Sequence, residues 1–288
     1  MGDDMGKINI LVEGWFHFKN EIGMNLMNSD KIQFHKSKDA NIKYDWIMNL
    51  SEIRDYDIDS ETGLIFGPQI MFPDIDVSRV PKHRKYNCNV LSEWVYDLCK
   101  DINPSVNFCT LPFAVDVNRF NASEKNGKPV IYFKQRNPEI LSEVLNELGD
   151  DFIIIKYNSL NSYLESDFQK AISEAPYTIW IGRHESQGFA FQETLSSNSP
   201  IFVIDVDSLR DEVSPGSFWQ SYLPGHKLPA SSVSYFDNRC GLISNHNNWR
   251  SDWNKFISNI EIYNPRQFIL ENLSPDACIN KWIEKLKK

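Results

Sequence analysis

The stretch Arg183-His184-Glu185-Ser186-Gln187-Gly188-Phe189-Ala190-Phe191-Gln192-Glu193-Thr194 sets two carboxylates eight positions apart around a glycine. The apolar run Tyr177-Thr178-Ile179-Trp180-Ile181 ahead of it reads as a buried strand, and Gln187-Gly188 breaks the chain before a helix that opens near Phe189. A strand-loop-helix corner of this kind turns the first amides of its helix toward an anion. Glu185 falls in the loop and Glu193 one turn into the helix, so both acids can line one pocket beside those amides. Carboxylates suit sugar hydroxyls and amides suit phosphates; together they suit a nucleotide sugar. One solvated loop acid and one helix-surface acid account for the same spacing, so the rest of the chain has to decide.

On either side of this corner short apolar runs alternate with amphipathic stretches, the pattern of an α/β protein with mainly parallel sheets. Strands are predicted at 130–133, 152–156, 177–181 and 201–205, with helices at 138–148, 162–175 and after Gly188. This is a doubly wound domain, in which a ligand lies outside the carboxyl ends of the strands. Lys134, Tyr157, the loop from Arg183 to Gly188 and Asp205 all fall at those ends. The sequence Phe133-Lys134-Gln135-Arg136 puts two cations at the mouth of the sheet, where they can neutralise a diphosphate as it becomes the leaving group. A solvated surface pair reads the same way. Upstream, strands at 8–13, 44–49, 63–66 and 106–111 and a helix over 90–100 make a first α/β domain, and the polar Ser123-Glu124-Lys125-Asn126-Gly127-Lys128-Pro129 reads as the linker.

Composition narrows the class. A chain of 288 residues, 41% of them hydrophobic, holds enough material for two domains with a substantial core. A net charge of −9 argues against binding to a phosphate backbone, so nucleic acid is not an expected partner. Five widely spaced cysteines without CxxC pairing suit reduced thiols, and a polar, acidic start with no bilayer-length apolar run adds to the expectation of a cytoplasmic protein without a membrane span. Neither half carries GxGxxG or a Walker motif, so ordinary dinucleotide or ATP binding has no support and no cofactor is expected.

The segment Leu111-Pro112-Phe113-Ala114-Val115-Asp116-Val117-Asn118-Arg119-Phe120 resembles the pre-linker signature of glycosyltransferases with the GT-B fold, and residues 184–200 resemble their Glu-x7-Glu region. Asn264-Pro265-Arg266-Gln267-Phe268 and the residues after it are similar to the tail whose helices return to the first domain in such enzymes. The resemblance implies two Rossmann-like doubly wound domains facing across a cleft. It places an acceptor-side domain at 1–122, a nucleotide-sugar domain at 128–264 and crossover helices at 265–288. It also implies a nucleotide sugar donor, a glycan or glycolipid acceptor and no obligatory metal. Carried over by position, Glu185 contacts donor-sugar hydroxyls and Glu193 the ribose, Ser186, Gly188 and Phe189 line the donor, and Lys134 and Arg136 steady the diphosphate. Tyr157-Asn158-Ser159 falls where the nucleobase is held, and Gly14, in Glu13-Gly14-Trp15, stands for the first loop that approaches the donor.

Other features admit two readings. Asp57-Ile58-Asp59, Asp74-Ile75-Asp76 and Asp205-Val206-Asp207 are DxD triplets, which hold Mg2+ in metal-dependent glycosyltransferases of another fold but also arise by chance in an acidic chain. His17 is the candidate base if the enzyme inverts configuration, although the Glu-x7-Glu pattern is most familiar from retaining enzymes. Ile279, Trp282, Ile283 and Leu286 form a helical apolar stripe that suits either a returning core helix or peripheral membrane contact. A binding protein that has kept the fold and lost the reaction is the alternative to an enzyme.

Overall fold

A computed structural model describes residues 6–49, 61–68, 73–78, 80, 82–158, 162–214 and 217–287; the Asp57-Ile58-Asp59 triplet and Ser159 lie outside them. The chain divides into two compact units, one holding the residues up to Asp116 together with those from Asn272 onward, the other Val117–Glu271. Both are α/β, each built on one parallel sheet, as the alternation of apolar and amphipathic runs predicts.

The first sheet comprises β1 (Ile8–Glu13), β2 (Ile32–His35), β3 (Trp46–Asn49), β4 (Gly63–Phe66), β5 (Tyr86–Asn89) and β6 (Phe108–Cys109), ordered β2-β1-β3-β4-β5-β6. Helices α1 (Phe18–Leu26) and α2 (Glu93–Ile102) follow β1 and β5. β3 and β4 are buried along their whole length, which is why they read as apolar runs. Two strands give no such signal. β2 alternates buried Ile32 and Phe34 with half-buried Gln33 and His35. β5 carries buried amides instead of apolar groups: Asn89 Nδ2 donates to the Leu111 carbonyl at 2.9 Å, and its Oδ1 accepts from the amides of Leu111 at 2.9 Å and Leu91 at 3.2 Å. Those bonds satisfy the buried amide and tie the end of β5 to the chain beyond β6.

The second sheet comprises β7 (Val130–Lys134), β8 (Ile153–Tyr157), β9 (Thr178–Ile181), β10 (Ile201–Ile204) and β11 (Gly241–Ser244), ordered β11-β10-β9-β7-β8. Its helices are α3 (Pro138–Leu148), α4 (Glu165–Glu174), α5 (Phe189–Ser196), α6 (Trp249–Ser258) and α7 (Pro265–Asn272). β7 pairs with β8 on one side and β9 on the other, so the order of connection reverses between β7 and β9. In doubly wound sheets this reversal opens a crevice at the carboxyl edge. One face packs Ile131, Ile179, Ile181, Phe202 and Ile204 against α3 and α6; on another, Tyr132 stacks on Trp180 with ring centroids 3.9 Å apart.

Residues 123–129, expected as a linker, are bonded into the second unit. Lys125 Nζ donates to the carbonyls of Ser173 at 2.8 Å and Ser197 at 2.6 Å, at the carboxyl ends of α4 and α5, and Gly127 N donates to Glu174 O at 3.0 Å. A cation there complements both helix dipoles. Arg266 reinforces the same corner by donating to the carbonyls of Val117, Phe120 and Ser196 at 3.2, 3.0 and 2.7 Å. The chain then returns to the first unit, where Val115 N donates to Leu273 O at 2.9 Å. The last helix, α8 (Pro275–Leu286), is capped by Ser274 and buries Ile279, Trp282 and Leu286. Trp282 packs on Phe34 and Phe113 and donates its indole N–H to Pro112 O at 2.9 Å. The apolar stripe of this helix is therefore core, and among the described residues no helix is long and apolar enough to cross a membrane.

Candidate functional site

The carboxyl edge between β7 and β9 collects the charged groups. Lys134 ends β7, and its ammonium is bonded to the Glu185 carboxylate on the loop after β9. The side chains are only 14% and 16% exposed, so the pair is largely withdrawn from water. Burial works to raise the Glu185 pKa, but Lys134 and Arg183 overcome it and hold the carboxyl below its ordinary range. Burial likewise pulls the Lys134 ammonium below an ordinary lysine, with Glu185 opposing. The Lys134 ammonium also lies 5.1 Å from the ring centroid of Tyr157, which is exposed at the end of β8.

The loop that carries Glu185 is held from several sides. Gly182 permits the first turn, because a Cβ there would stand 2.3 Å from Trp180 Nε1. Glu185 N donates to Ser231 O at 3.0 Å. The Gln187 carbonyl accepts from Ser234 Oγ and Gln192 Nε2. Gly188 caps α5 in the left-handed region at φ 70°, a conformation that any side chain would strain. α5 begins at Phe189 with amides that have no partner inside the helix, and Ser186, two residues before the Gly188 cap, is half-buried. Glu193 is buried one turn into α5. Both Glu185 and Glu193 help burial to raise the pKa of the Tyr163 phenol, so the two acids act on one side chain. Tyr163, 6.1 Å from Tyr157 between ring centroids, joins the site although its sequence context gave no sign of it.

Arg183 and Glu212 complete the corner, the guanidinium bonded to the carboxylate at 3.0 Å. His184 lies beneath, its Nδ1 3.7 Å from Glu212 and its ring edge-on to Trp219 at 5.2 Å. Burial and then the Arg183 charge push the imidazole down to about 4, so it is neutral at physiological pH. Arg136 has a different task from its neighbour Lys134. It is 6% exposed and donates to the carbonyls of Gly182 at 2.9 Å, Ile204 at 3.0 Å and Asp205 at 3.2 Å, joining the ends of β9 and β10. The left-handed Gln135, φ 49°, turns the chain between the two cations.

Asp205, a candidate metal ligand, spends its carboxylate on the fold. Oδ1 accepts from the Ser232 amide and hydroxyl at 2.6 and 2.7 Å, and Oδ2 accepts from the Ser231 hydroxyl at 2.5 Å. Asp76 Oδ1 accepts from the Ser78 amide at 2.8 Å in a local turn. Asn158 is exposed just beyond β8. In the first unit, Gly14 follows β1, and His17 caps α1 with Nδ1 accepting from the Lys19 amide at 3.4 Å. The five cysteines are free and buried, and burial pushes each thiol up to about 12, which removes them as nucleophiles.

No protein-family model matches the chain, and no curated protein matches it. Among solved structures it is similar to a TarM mutant of S. aureus in complex with Fondaparinux, alpha-GlcNAc-glycerol and UDP: 14% identity and TM-score 0.49, over 80% of this chain and 56% of that one. It is similar to the pneumococcal O-GlcNAc transferase GtfA in complex with UDP and GlcNAc at 12% identity and TM-score 0.48, covering 84% of this chain and 56% of that one. Sucrose-phosphate synthase from Thermosynechococcus elongatus aligns at 8% identity and TM-score 0.48, over 85% of this chain and 73% of that one. The chain spans little more than half the length of the first two.

Proposed function

We propose that this chain is a glycosyltransferase that moves a sugar from a nucleoside diphosphate donor to a hydroxyl acceptor on a glycan or glycolipid. The observation that carries the reading is the buried Lys134–Glu185 pair at the strand-order reversal of the second sheet, with Glu185 packed close to the Gly188 cap of α5. A cation and amides suit a diphosphate; a carboxylate next to them suits the sugar it bears. In this reading Lys134, Arg183 and the amides of Gly188 and Phe189 take the diphosphate. Glu185 meets the sugar hydroxyls, Glu193 the ribose, and Tyr157 with Asn158 the base. Ser186 borders the sugar. Gly14 and His17 belong to the acceptor side.

The reaction breaks the bond between the anomeric carbon and the β-phosphate oxygen, and the bonding electrons leave with the phosphate. Fixed positive charge and aligned amides at that oxygen stabilise the charge as it develops, with no reorganisation at the moment of reaction. The acceptor oxygen bonds to the anomeric carbon, and its proton passes to the departing phosphate with retention, or to His17 with inversion. Retention is the course we favour on the Glu-x7-Glu pattern. No cofactor or metal enters the scheme; the commitment of Asp205 to Ser231 and Ser232 supports leaving the DxD triplet out of it.

The test is incubation with a panel of nucleotide sugars, with and without EDTA and candidate acceptors. Release of nucleoside diphosphate, enhanced by an acceptor and unaffected by EDTA, is expected. Saturable binding without release would move the chain to the non-catalytic alternative, and loss of activity in EDTA would reverse the metal-independent assignment.

A further inference from the structure

The connection from β10 to β11 is a built element. Leu209 N donates to Leu228 O at 2.9 Å and Ala230 N to Asp207 O at 3.3 Å, which brings the two limbs of its first part together. Inside it the Arg210 guanidinium donates to the carbonyls of Trp219 at 2.6 Å, Gln220 at 2.9 Å, Tyr222 at 3.1 Å, Leu223 at 3.3 Å and His226 at 3.4 Å. One side chain thereby holds the far limb to the near one, and a Ser208–Asp211 capping box fixes the near limb.

This frame delivers one carboxylate to the functional corner. Glu212 is 6% exposed; its Oε2 accepts from Arg183 at 3.0 Å, and its Oε1 accepts from the Ser214 hydroxyl at 2.8 Å. The next residue, Val213, donates its amide to Gln135 O at 2.9 Å, on the turn just after Lys134. The loop is thus bonded both to the Arg183 side chain and to the backbone that carries the other cation.

We propose that Glu212 is a positioning residue for diphosphate binding: it fixes the Arg183 guanidinium so that Arg183 and Lys134 meet the phosphates together. The inference rests on the nucleotide-sugar reading above. With His184 neutral, the cations Lys134 and Arg183 are each matched by a carboxylate, Glu185 and Glu212. By charge alone a buried acid beside an anion site repels the anion. Orientation acts in the opposite direction, because the planar fork of arginine binds phosphate best when its geometry is set in advance. Arg183 also acts electrostatically on Glu185. Without Glu212 the guanidinium loses the carboxylate that anchors it.

The two effects predict opposite signs, which calorimetry on the full chain can separate. The probes are UDP and GDP, each compared with its nucleoside, on wild type, Glu212→Ala, Glu212→Gln, Arg183→Ala and the Arg183→Ala/Glu212→Ala double variant, with melting curves to confirm folding. Positioning predicts that Glu212→Ala weakens the diphosphate roughly 10-fold with little change for the nucleoside. Glu212→Gln, which keeps an oxygen for Arg183, recovers part of the loss, and the double variant binds no more weakly than Arg183→Ala. Equal or tighter diphosphate binding by Glu212→Ala, or additive losses in the double variant, would overturn the inference. Loss in Arg183→Ala without loss in Glu212→Ala defeats this inference and leaves the nucleotide-sugar reading standing. Failure of wild type to bind either diphosphate defeats both.

Discussion

Lys134→Met and Glu185→Gln, made singly and together, probe the pair at the centre of the site. The two side chains are 14% and 16% exposed and bonded to each other, so each single change leaves the other charge buried. Removing one partner of a buried ion pair costs about 3–5 kcal/mol, because the remaining charge is uncompensated. This site lowers that figure in two ways. Arg183 still balances Glu185 when Lys134 is gone, and burial already disfavours the Lys134 ammonium, so its removal relieves a cost as well. The expected losses are about 2 kcal/mol for Lys134→Met and about 2–3 kcal/mol for Glu185→Gln, which leaves Lys134 beside Arg183 with less counter-charge. The double variant replaces both charges by groups of similar volume and should lose about 1 kcal/mol. A coupling energy of about 3–4 kcal/mol follows. Urea unfolding at pH 7, followed by far-UV circular dichroism and tryptophan fluorescence, measures it; with two units in the chain, the transition that the substitutions shift is the one to compare. Additive single losses would show that the charges do not interact as described.

Other consequences concern the surroundings of the pair. The His184 imidazole is held at about 4 against an ordinary 6.5, so between those values the unfolded chain binds more protons and stability falls as the pH is lowered, by up to about 3 kcal/mol. Glu185, also depressed, adds a loss of the same sign at the acid end. His184→Gln should flatten the decline from pH 6.5 to 4 in melting experiments; an unchanged slope would assign the acid sensitivity elsewhere. Gly188→Ala sets a Cβ at φ 70° and 3.3 Å from Glu185 Cβ and Ser234 Oγ, and should cost about 1–2 kcal/mol as well as weaken nucleotide binding. Wild-type stability and affinity would contradict the described corner. Arg136→Ala strips a donor from carbonyls at the ends of β9 and β10 and should lower stability by about 3 kcal/mol without changing the ratio of diphosphate to nucleoside affinity. A selective loss of the diphosphate would return Arg136 to the phosphate-binding set.

The parts of the fold legible in the sequence are those where burial and residue type coincide. β9 is apolar because it is buried, and Gly188 marks a positive φ that other residues resist, so strand, turn and helix could be placed around Glu185. β5 escaped notice because its buried positions include Asn87 and Asn89, whose amides find partners that only the tertiary structure supplies. The linker shows the same limit: nothing local distinguishes a solvated Lys125 from one set between two helix ends. Lys134 and Arg136, two positions apart, looked alike as cations beyond a strand. The left-handed Gln135 between them leaves one bonded to Glu185 and the other to the sheet's own carbonyls. Glu212 lay outside any motif because its contact with Arg183 spans 29 positions and depends on a loop held together by Arg210.

The most direct test of the proposed chemistry compares turnover and nucleoside diphosphate affinity in wild type and Glu185→Gln, on the nucleotide sugar that wild type uses. Glu185 is assigned to the sugar and Lys134 with Arg183 to the phosphates, so turnover should fall by about 10² while affinity for the diphosphate changes only a few-fold. Near-normal turnover, or a proportionate loss of diphosphate affinity, would contradict that division of the site.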